Sequence, residues 1–294
     1  MDSIALKAHA KINLVLTITG RRDDGYHLMD SLVVFADLAD QITVTASDAD
    51  QLTITGQQAD ALESINAADN ILMTALNAYR NHMGWDQKFA LTLEKNIPVA
   101  AGIGGGSSDA AAVLTAANRL NPSPCSDADL AKIGLEIGAD LPVCLKQYQL
   151  SPQWRMQGIG EDLTTLSIDP LKKAGLLLVN PMVGVSTKDV FKQLGQSILN
   201  RGLNKTDDLH QDADLATWLA RGNDLTAPAM ALEPKIKHQI DHLSSLQGHT
   251  GYLHHGMSGS GATCYALFSN PNAAQSAHDA IKHKMAWSWA GKLI

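Results

Sequence analysis

Apolar and polar residues alternate through much of roughly the first 95 positions, with the two-residue period of a β-strand. Positions 11–18 show this alternation, and a strand there places Lys11 and Asn13 on one face. Asp24-Gly25 predicts the hairpin turn that follows. A helical spacing with Asp69 or Asn70 as the N-cap interrupts the strand pattern. Further short strands are predicted at residues 32–35, 42–44, 52–54 and 89–93.

Helical and strand patterns continue through the rest of the chain. A strong helix pattern begins at Asp109, and Ser126 with Asp129 resembles a capping box for the next helix. Pro234 marks the first turn of a later helix. Residues 147–157 show no clear period, and we expect a domain boundary within residues 150–175. Helices are also predicted at residues 187–194 and 273–285, and strands at 175–179 and 263–268.

Composition and charge narrow the class of protein. The 294 residues suggest about two domains, and 45% hydrophobic with 18% charged residues is ordinary for a globular protein. A net charge of −7, without a long Lys/Arg run, argues against a nucleic-acid surface. The chain has no apolar run of about 18 residues, and its N-terminus lacks the features of a secretory signal. Because three widely spaced cysteines fit a reducing compartment, we expect a cytoplasmic protein without a membrane partner.

The segment Pro98–Ser108 (PVAAGIGGGSS) is the strongest chemical signal in the sequence. Four glycines within five positions let the backbone adopt positive φ and approach a ligand closely. The helix predicted after them directs free N–H groups and its positive dipole end at the segment, which makes a cradle for phosphate. The alternative is a flexible turn followed by a serine N-cap.

Other nucleotide and metal patterns fit poorly. A Walker A sequence needs Gly-Lys-Ser/Thr, which occurs nowhere in the chain. A Rossmann fingerprint needs a strand directly before the glycines, whereas Pro98 breaks that approach. The eleven histidines include no H-E-x-x-H sequence, so we expect no resident metal site.

Three ordered blocks of sequence together resemble the motifs of the GHMP small-molecule kinases. They are Ala10–Leu14 (AKINL), Pro98–Ser108 with the following Asp-Ala-Ala, and Met257–Thr263 (MSGSGAT). The resemblance covers nearly the whole chain. It implies an α+β, two-lobed GHMP-kinase-like fold, with an N-terminal ATP-loop lobe at residues 1–160 and a C-terminal lobe at residues 161–294. The second lobe would hold an antiparallel sheet with helices on one side, and the active site would lie in the cleft between the lobes.

Four further segments resemble one branch of this superfamily, whose members use ATP to phosphorylate the 2-hydroxyl of a cytidyl-linked sugar alcohol in isoprenoid synthesis. They are residues 25–27 (GYH), 138–142 (GADLP), 158–161 (GIGE) and 223–225 (NDL). The resemblance implies ATP and Mg²⁺ as cofactors and the cytidyl compound as substrate. Kinases of homoserine, mevalonate or a sugar are the alternative, and a catalytically silent nucleotide-binding regulator is another. The GYH segment suits a pyrimidine and has no evident role with homoserine.

The resemblance also implies roles for two reacting residues, with Asp140 as the catalytic carboxylate and Lys11 as its partner. The residue pattern alone favours plainer interpretations, in which Asp140 is an ordinary helix-end carboxylate and Lys11 a solvated strand lysine. An alcohol is a far weaker acid than a carboxylic acid. We therefore expect Asp140 to orient the hydroxyl and accept its proton late, while Lys11 stabilises negative charge on oxygen.

Two sets of binding residues complete the expected site. The substrate set is Asn13, Tyr26, His27, Thr187 and Phe191, in which the aromatic rings and the imidazole would meet the cytosine. Plain alternatives are an exposed hairpin for Tyr26 and His27, a core position for Phe191, and an N-cap for Asn70. Mg²⁺ is expected on the ATP phosphates, with either serine of the glycine-rich segment as a candidate ligand. The ATP set is Pro98, Val99, Ala100, Ala101, Gly102, Ile103, Gly104, Gly105, Gly106, Ser107, Ser108 and Asn70.

Overall fold

The computed structural model describes residues 2–149, 153–195 and 213–294, which form two compact units. Each unit combines distant stretches of the chain. The predicted lobe boundary near residue 160 stays a prediction. The first unit comprises Met1–Ala10, Leu38–Val99 and Gly104–Tyr148, and the second comprises Lys11–Asp37, Ala100–Ile103 and Gln149–Ile294.

Two long strands supply residues to both units. Strand β1 spans Ser3–Arg21 and strand β2 spans His27–Ser47. The strands predicted at residues 32–35 and 42–44 are therefore parts of one continuous strand. The turn predicted at Asp24-Gly25 is confirmed, and Gly25 has a φ of +92°, a conformation that favours glycine.

Burial along β1 differs from the two-faced pattern that the alternation predicts. Residues 10–16 are all buried, so Lys11 (3% exposed) and Asn13 (1% exposed) lie inside the protein. The interpretation of Lys11 as a solvated strand lysine is therefore wrong. Burying a polar side chain is costly unless hydrogen bonds or opposite charges compensate, so the surroundings of both residues matter.

Within its described residues, the first unit contains four α-helices and a small mixed sheet. Strand β4 (Lys88–Glu94) pairs antiparallel with residues 41–47 of β2 and parallel with β3 (Gln51–Thr55). Helix α2 contacts the other three helices, and all its residues from 108 to 117 are buried. The helices are α1 (Ile71–Met83), α2 (Gly105–Leu120), α3 (Asp127–Ile137) and α4 (Leu141–Leu145).

Side-chain caps begin two of these helices as the sequence predicts. The side chain of Asn70 accepts a hydrogen bond from the backbone N–H of Leu72 (3.0 Å), so Asn70 rather than Asp69 is the N-cap of α1. Ser126 accepts the backbone N–H of Asp129 (3.2 Å) at the start of α3. Both caps satisfy backbone donors that have no partner inside the helix.

In the part of the chain that the structure describes, the second unit contains two groups of antiparallel strands. Residues 29–34 of β2 pair with β5 (Gln153–Gly158), which pairs with β6 (Asp162–Thr165). Strand β5 begins within the segment 147–157, which shows no sequence period, and ends at Gly158. A separate four-stranded sheet has the order β10-β7-β9-β8, which confirms the antiparallel sheet predicted for the C-terminal half. Its strands are β7 (Gly175–Asn180), β8 (Tyr252–Met257), β9 (Cys264–Phe268) and β10 (Trp287–Lys292).

Helices of the second unit pack on this four-stranded sheet. The helices Lys235–Ser244 and Pro271–Ile281 contact it, and Leu16 and Ile18 of β1 join its core together with Ile236 and Phe268. Among the helices of the described residues, none is both long and apolar enough to cross a membrane. The helices of this unit are α5 (Thr187–Lys192), α6 (Leu215–Leu219), α7 (Thr226–Leu232), α8 (Lys235–Ser244) and α9 (Pro271–Ile281).

Candidate active site

The glycine-rich segment 98–108 contributes to both units. The first unit holds its two ends, and the second unit holds residues 100–103. Helix α2 begins at Gly105, which corrects the start predicted at Asp109 and places the last two glycines and both serines in the first turn. The N-cap is Gly104, whose φ of +65° favours glycine, so the alternative of a serine N-cap is wrong.

The first turn of α2 has the properties of an anion site. The backbone N–H groups of its first three residues, 105–107, have no partners inside the helix and point out of its start, whereas that of Ser108 donates to the carbonyl oxygen of Gly104 (2.8 Å). The start of α1 lies beside it, since a Cβ built on Gly106 would be 3.8 Å from Cγ2 of Ile71. Two positive helix-dipole ends thus meet near Gly106, next to the cap residue Asn70. Such an arrangement favours a phosphate group.

The two serines of this turn differ in exposure. Ser108 is fully buried, and its hydroxyl donates to the carbonyl oxygen of His9 (2.7 Å). This hydrogen bond fixes the start of α2 to the beginning of β1 within the first unit. Ser107 is partly exposed, so it is the serine that solvent reaches.

Residues 100–103 are held on two sides within the second unit. On one side, the backbone N–H of Lys11 in β1 donates to the carbonyl oxygen of Ile103 (2.9 Å). On the other side, the backbone N–H of Thr263 donates to the carbonyl oxygen of Ala101 (3.1 Å). The central part of the glycine-rich segment is therefore hydrogen-bonded both to the first strand and to a loop near the C-terminus.

That loop, residues 258–263, is the C-terminal glycine loop, and it contacts Gly102 directly. The hydroxyl of Ser258 donates to the carbonyl oxygen of Gly102 (3.2 Å). A Cβ built on Gly102, which has a φ of +72°, would overlap the carbonyl group of Gly261. Only a residue without a side chain fits between these two backbones.

Asn13 contacts the same C-terminal glycine loop. Its backbone N–H donates to Oγ of Ser258 (3.1 Å), and its Nδ2 donates to Oγ of Ser31 (2.7 Å). Its Oδ1 is buried and accepts no hydrogen bond from the described residues. Because buried polar atoms are normally paired, this oxygen is a candidate acceptor for a substrate hydroxyl.

The aromatic residues predicted to meet the cytosine lie near the hairpin between β1 and β2. His27 and Phe191 stack, with ring centroids 4.9 Å apart and an interplanar angle of 27°. Tyr26 is 60% exposed. Burial, followed by the charge of Arg21, lowers the pKa of His27 below its usual 6.5. Its imidazole is therefore neutral at neutral pH and offers one donor and one acceptor.

Helix α5 links this aromatic pair to the C-terminal glycine loop. The hydroxyl of Thr187 shares a hydrogen bond of 2.8 Å with the hydroxyl of Ser260. Phe191 follows four residues later, so it lies on the same face of the helix. The second unit thus brings Thr187, Asn13 and residues 101–102 into contact with one loop.

Asp140 belongs to the first unit, and Lys11 belongs to the second. Asp140 follows α3 and immediately precedes α4, which confirms its predicted position in a loop leaving a helix. It is partly buried, and its carbonyl oxygen accepts the backbone N–H of Cys144 (3.1 Å). The start of α4 therefore fixes the backbone of this carboxylate.

Family models match the chain in two places. The GHMP kinases N terminal domain matches residues 70–147, and the GHMP kinases C terminal domain matches residues 207–286. Together the two matches cover more than half of the chain. The chain belongs to the GHMP kinase family.

Relatives of this GHMP kinase are similar along its whole length. A 4-diphosphocytidyl-2-C-methyl-D-erythritol kinase of Granulibacter bethesdensis is 41% identical over 100% of the chain and 95% of that protein. One of Cereibacter sphaeroides is 43% identical over 98% of each chain. A crystal structure of 4-(cytidine 5'-diphospho)-2C-methyl-D-erythritol kinase is 29% identical, covers 99% of both chains and has a TM-score of 0.77. These similarities confirm the GHMP-kinase fold predicted from the sequence.

As a GHMP kinase, the protein is an enzyme that transfers a phosphoryl group from ATP to a small molecule.

Two residues that organise the loops of the site, Ser258 and Asn223, are not indicated by any local sequence pattern. Ser258 hydrogen-bonds to both β1 and Gly102, and Asn223 donates through Nδ2 to the carbonyl oxygens of Met257 and Gly259 (2.8 Å each). Only their presence in family-like segments signals them, because their partners lie far away in the sequence.

Proposed function

We propose that this GHMP kinase transfers the γ-phosphoryl group of ATP to the 2-hydroxyl of 4-diphosphocytidyl-2-C-methyl-D-erythritol, giving the 2-phosphate and ADP. The observation that carries the proposal is the 41% and 43% identity, along nearly the whole chain, to kinases of that name. The stacked His27–Phe191 pair supports it, because a pyrimidine needs a flat apolar surface and a polar edge. The reaction would serve isoprenoid precursor synthesis by the non-mevalonate route.

The ATP phosphates would lie against the glycine-rich segment 98–108, with the first turn of α2 as their main donor. Free backbone N–H groups and two helix-dipole ends support this placement, and Asn70 lies beside it. Mg²⁺ typically binds substrate phosphates, keeps several waters and uses only one or two protein oxygens. The partly exposed hydroxyl of Ser107 fits such a role. Bound there, Mg²⁺ would neutralise charge on the phosphates.

Asp140 and Lys11 would act on the receiving hydroxyl and the transferred group. Phosphoryl transfer passes through a loose transition state, so the hydroxyl proton becomes acidic only late. Asp140 would orient the hydroxyl and accept that proton as the new P–O bond forms. The ammonium of Lys11 would stabilise the negative charge that develops on oxygen, with most effect because the residue is only 3% exposed.

The substrate would be recognised by the residues around the C-terminal glycine loop and the hairpin. The unpaired Oδ1 of Asn13 would accept a hydrogen bond from a substrate hydroxyl. Neutral His27 would hydrogen-bond to the edge of the base. The rings of Tyr26 and Phe191 would pack against the faces of the base. Thr187 would position Phe191 through its hydrogen bond to the loop.

We place the reaction in the cytoplasm. Cys125 and Cys264 carry free thiols, and Cys264 is buried. Free thiols without disulfide partners suit a reducing compartment.

A coupled ADP-release assay tests the proposed function. We expect the wild-type enzyme to release ADP with the cytidyl substrate and not with homoserine or mevalonate. In the same assay, Asp140→Ala is expected to lower kcat by about 10²- to 10⁴-fold, the usual contribution of a general base. ATP binding should be retained, because the carboxylate acts on the hydroxyl and not on the nucleotide.

Asp60→Ala is the matched control, since Asp60 is an exposed carboxylate of the same unit. Its kcat should equal that of the wild type. ADP release with homoserine but not with the cytidyl substrate would refute the proposed substrate. Comparable turnover by Asp140→Ala would refute the role of Asp140.

A further inference from the structure

Three ionisable side chains are buried together in the first unit, which also holds both ends of the glycine-rich segment. The ammonium of Lys95 donates to Oδ2 of Asp40 (2.5 Å) and to Oδ2 of Asp109 (2.8 Å). The three side chains are at most 3% exposed. We call these three residues the buried charge triad.

Asp40 connects the triad to the residues that lead into the glycine-rich segment. Its Oδ1 accepts the backbone N–H of Asn96 (2.5 Å) and that of Ile97 (2.8 Å). Ile97 directly precedes Pro98, the first residue of the segment. One carboxylate therefore fixes both the lysine side chain and the backbone at the N-terminal end of the segment.

Asp109 connects the triad to the other end of the segment. It directly follows Ser108 and lies near the start of α2. Gly105, the first residue of α2, packs on the ammonium, because a Cβ built there would be 3.1 Å from Nζ of Lys95. The lysine thus contacts the helix turn whose N–H groups face the proposed phosphate position.

Burying the three ionisable side chains of the triad is a costly way to stabilise a fold. Burying an ion costs several kcal/mol even after relaxation, and well-packed apolar residues often replace a buried ion pair without loss of stability. The triad has two carboxyl groups for one ammonium, and Oδ1 of Asp109 accepts no hydrogen bond from the described residues. Its position at both ends of one ligand-binding segment favours a role in the shape of that segment.

We propose that Lys95, Asp40 and Asp109 are positioning residues that hold the two ends of the glycine-rich segment at a fixed separation and thereby set its affinity for ATP. Lys95 is the shared centre. Asp40 anchors the N-terminal end, and Asp109 anchors the first turn of α2. None of the three needs to touch ATP. The inference rests on the proposed function only in taking ATP phosphates as the ligand of this segment.

Asp109→Ala removes one of the two anchors and keeps the other. It removes the connection to α2 while leaving the neutral Lys95–Asp40 pair in place, so the variant should fold. We expect the Kd for ATP, measured directly by isothermal titration calorimetry, to rise by about tenfold, the value of one charge-assisted hydrogen bond. The KM for the cytidyl substrate should stay unchanged. Asp109→Asn keeps an oxygen that can accept from Lys95 and should recover most of the affinity.

Asp50→Asn is the matched control. Asp50 forms another largely buried ion pair of the first unit, with Arg80 (2.6 Å), and neither residue contacts the glycine-rich segment in the hydrogen bonds or ion pairs of the described residues. Its Kd for ATP should equal that of the wild type. Equal ATP affinity of Asp109→Ala and wild type would refute the inference, as would an equal weakening in Asp50→Asn. A wild-type enzyme that binds no ATP would refute the proposed function instead.

Discussion

Asp109 shows how burial changes the chemistry of a single residue. Removal from water is the main cause that raises its pKa to about 8; Lys95 opposes this shift, and Asp40 adds to it. Its ordinary pKa is 3.8. A carboxyl group whose pKa is higher in the folded state binds its proton more tightly when folded. Its contribution to stability is therefore complete at low pH and is lost as the pH rises from about 4 to about 8.

Asp109→Asn should remove this pH dependence, because an amide does not ionise. Between pH 5 and 8, we expect the unfolding free energy of the wild type to fall relative to that of the variant by about 1–3 kcal/mol. Urea denaturation at each pH measures the difference. Asp50→Asn is the control, since the Arg80 partner and a backbone N–H lower the pKa of Asp50 against its desolvation. Its profile should run parallel to the wild type over this range. A parallel profile for Asp109→Asn would contradict the prediction.

Residue-level predictions succeed where the partner is close in sequence. The N-caps Asn70 and Ser126 bond to backbone groups two and three positions away, so a short window contains all the information. Lys95 bonds to a carboxylate 55 positions away, and no local pattern indicates that pairing. Asn13 is similar, because its partner Ser258 is 245 positions away. The burial of Lys95 and Asn13 therefore depends on tertiary contacts, which the periodicity of the sequence does not indicate.

At the scale of elements, the contact between the two glycine-rich segments has the strictest steric requirement. Gly102 has a positive φ and lies against the backbone of Gly261, so both its conformation and the space around it exclude a side chain. The sequence identifies both segments from their composition. The sequence does not indicate that the two backbones are in contact, because glycine has no side chain that could contribute to an apolar–polar pattern.

Gly102→Ala tests this contact. The positive φ alone costs about 1–3 kcal/mol in a residue with a Cβ, and the overlap with a backbone carbonyl adds to it. We expect the unfolding free energy to fall by at least about 2 kcal/mol and the KM for ATP to rise. Thermal unfolding and ADP release measure the two effects.

Gly248→Ala is the control for the glycine substitution itself. Gly248 belongs to the same unit and has no neighbour within 4 Å of a built Cβ. Its stability should change by less than about 0.5 kcal/mol, as is usual for surface positions. Equal effects of the two substitutions would show that the contact between the segments is unimportant.

At the scale of the whole molecule, the chain order does not correspond to the compact units. The second unit takes Lys11–Asp37 from the N-terminal part of the chain. These residues provide the partner of β5 and two core side chains, Leu16 and Ile18. Cutting the chain near residue 160 would therefore remove strand segments that the second unit needs, because Lys11–Asp37 lies before the cut.

Fragments of the chain test this arrangement. We expect residues 149–294 alone to show no cooperative unfolding transition, because β5 lacks its partner strand and the core lacks two aliphatic side chains worth about 1.5–3 kcal/mol each. That loss is large against a typical total stability of about 5–15 kcal/mol. Adding residues 1–148 returns the missing strand segments and should restore a cooperative transition, measured by circular dichroism in urea. A sharp transition for residues 149–294 alone would show that the C-terminal part folds without the N-terminal strands.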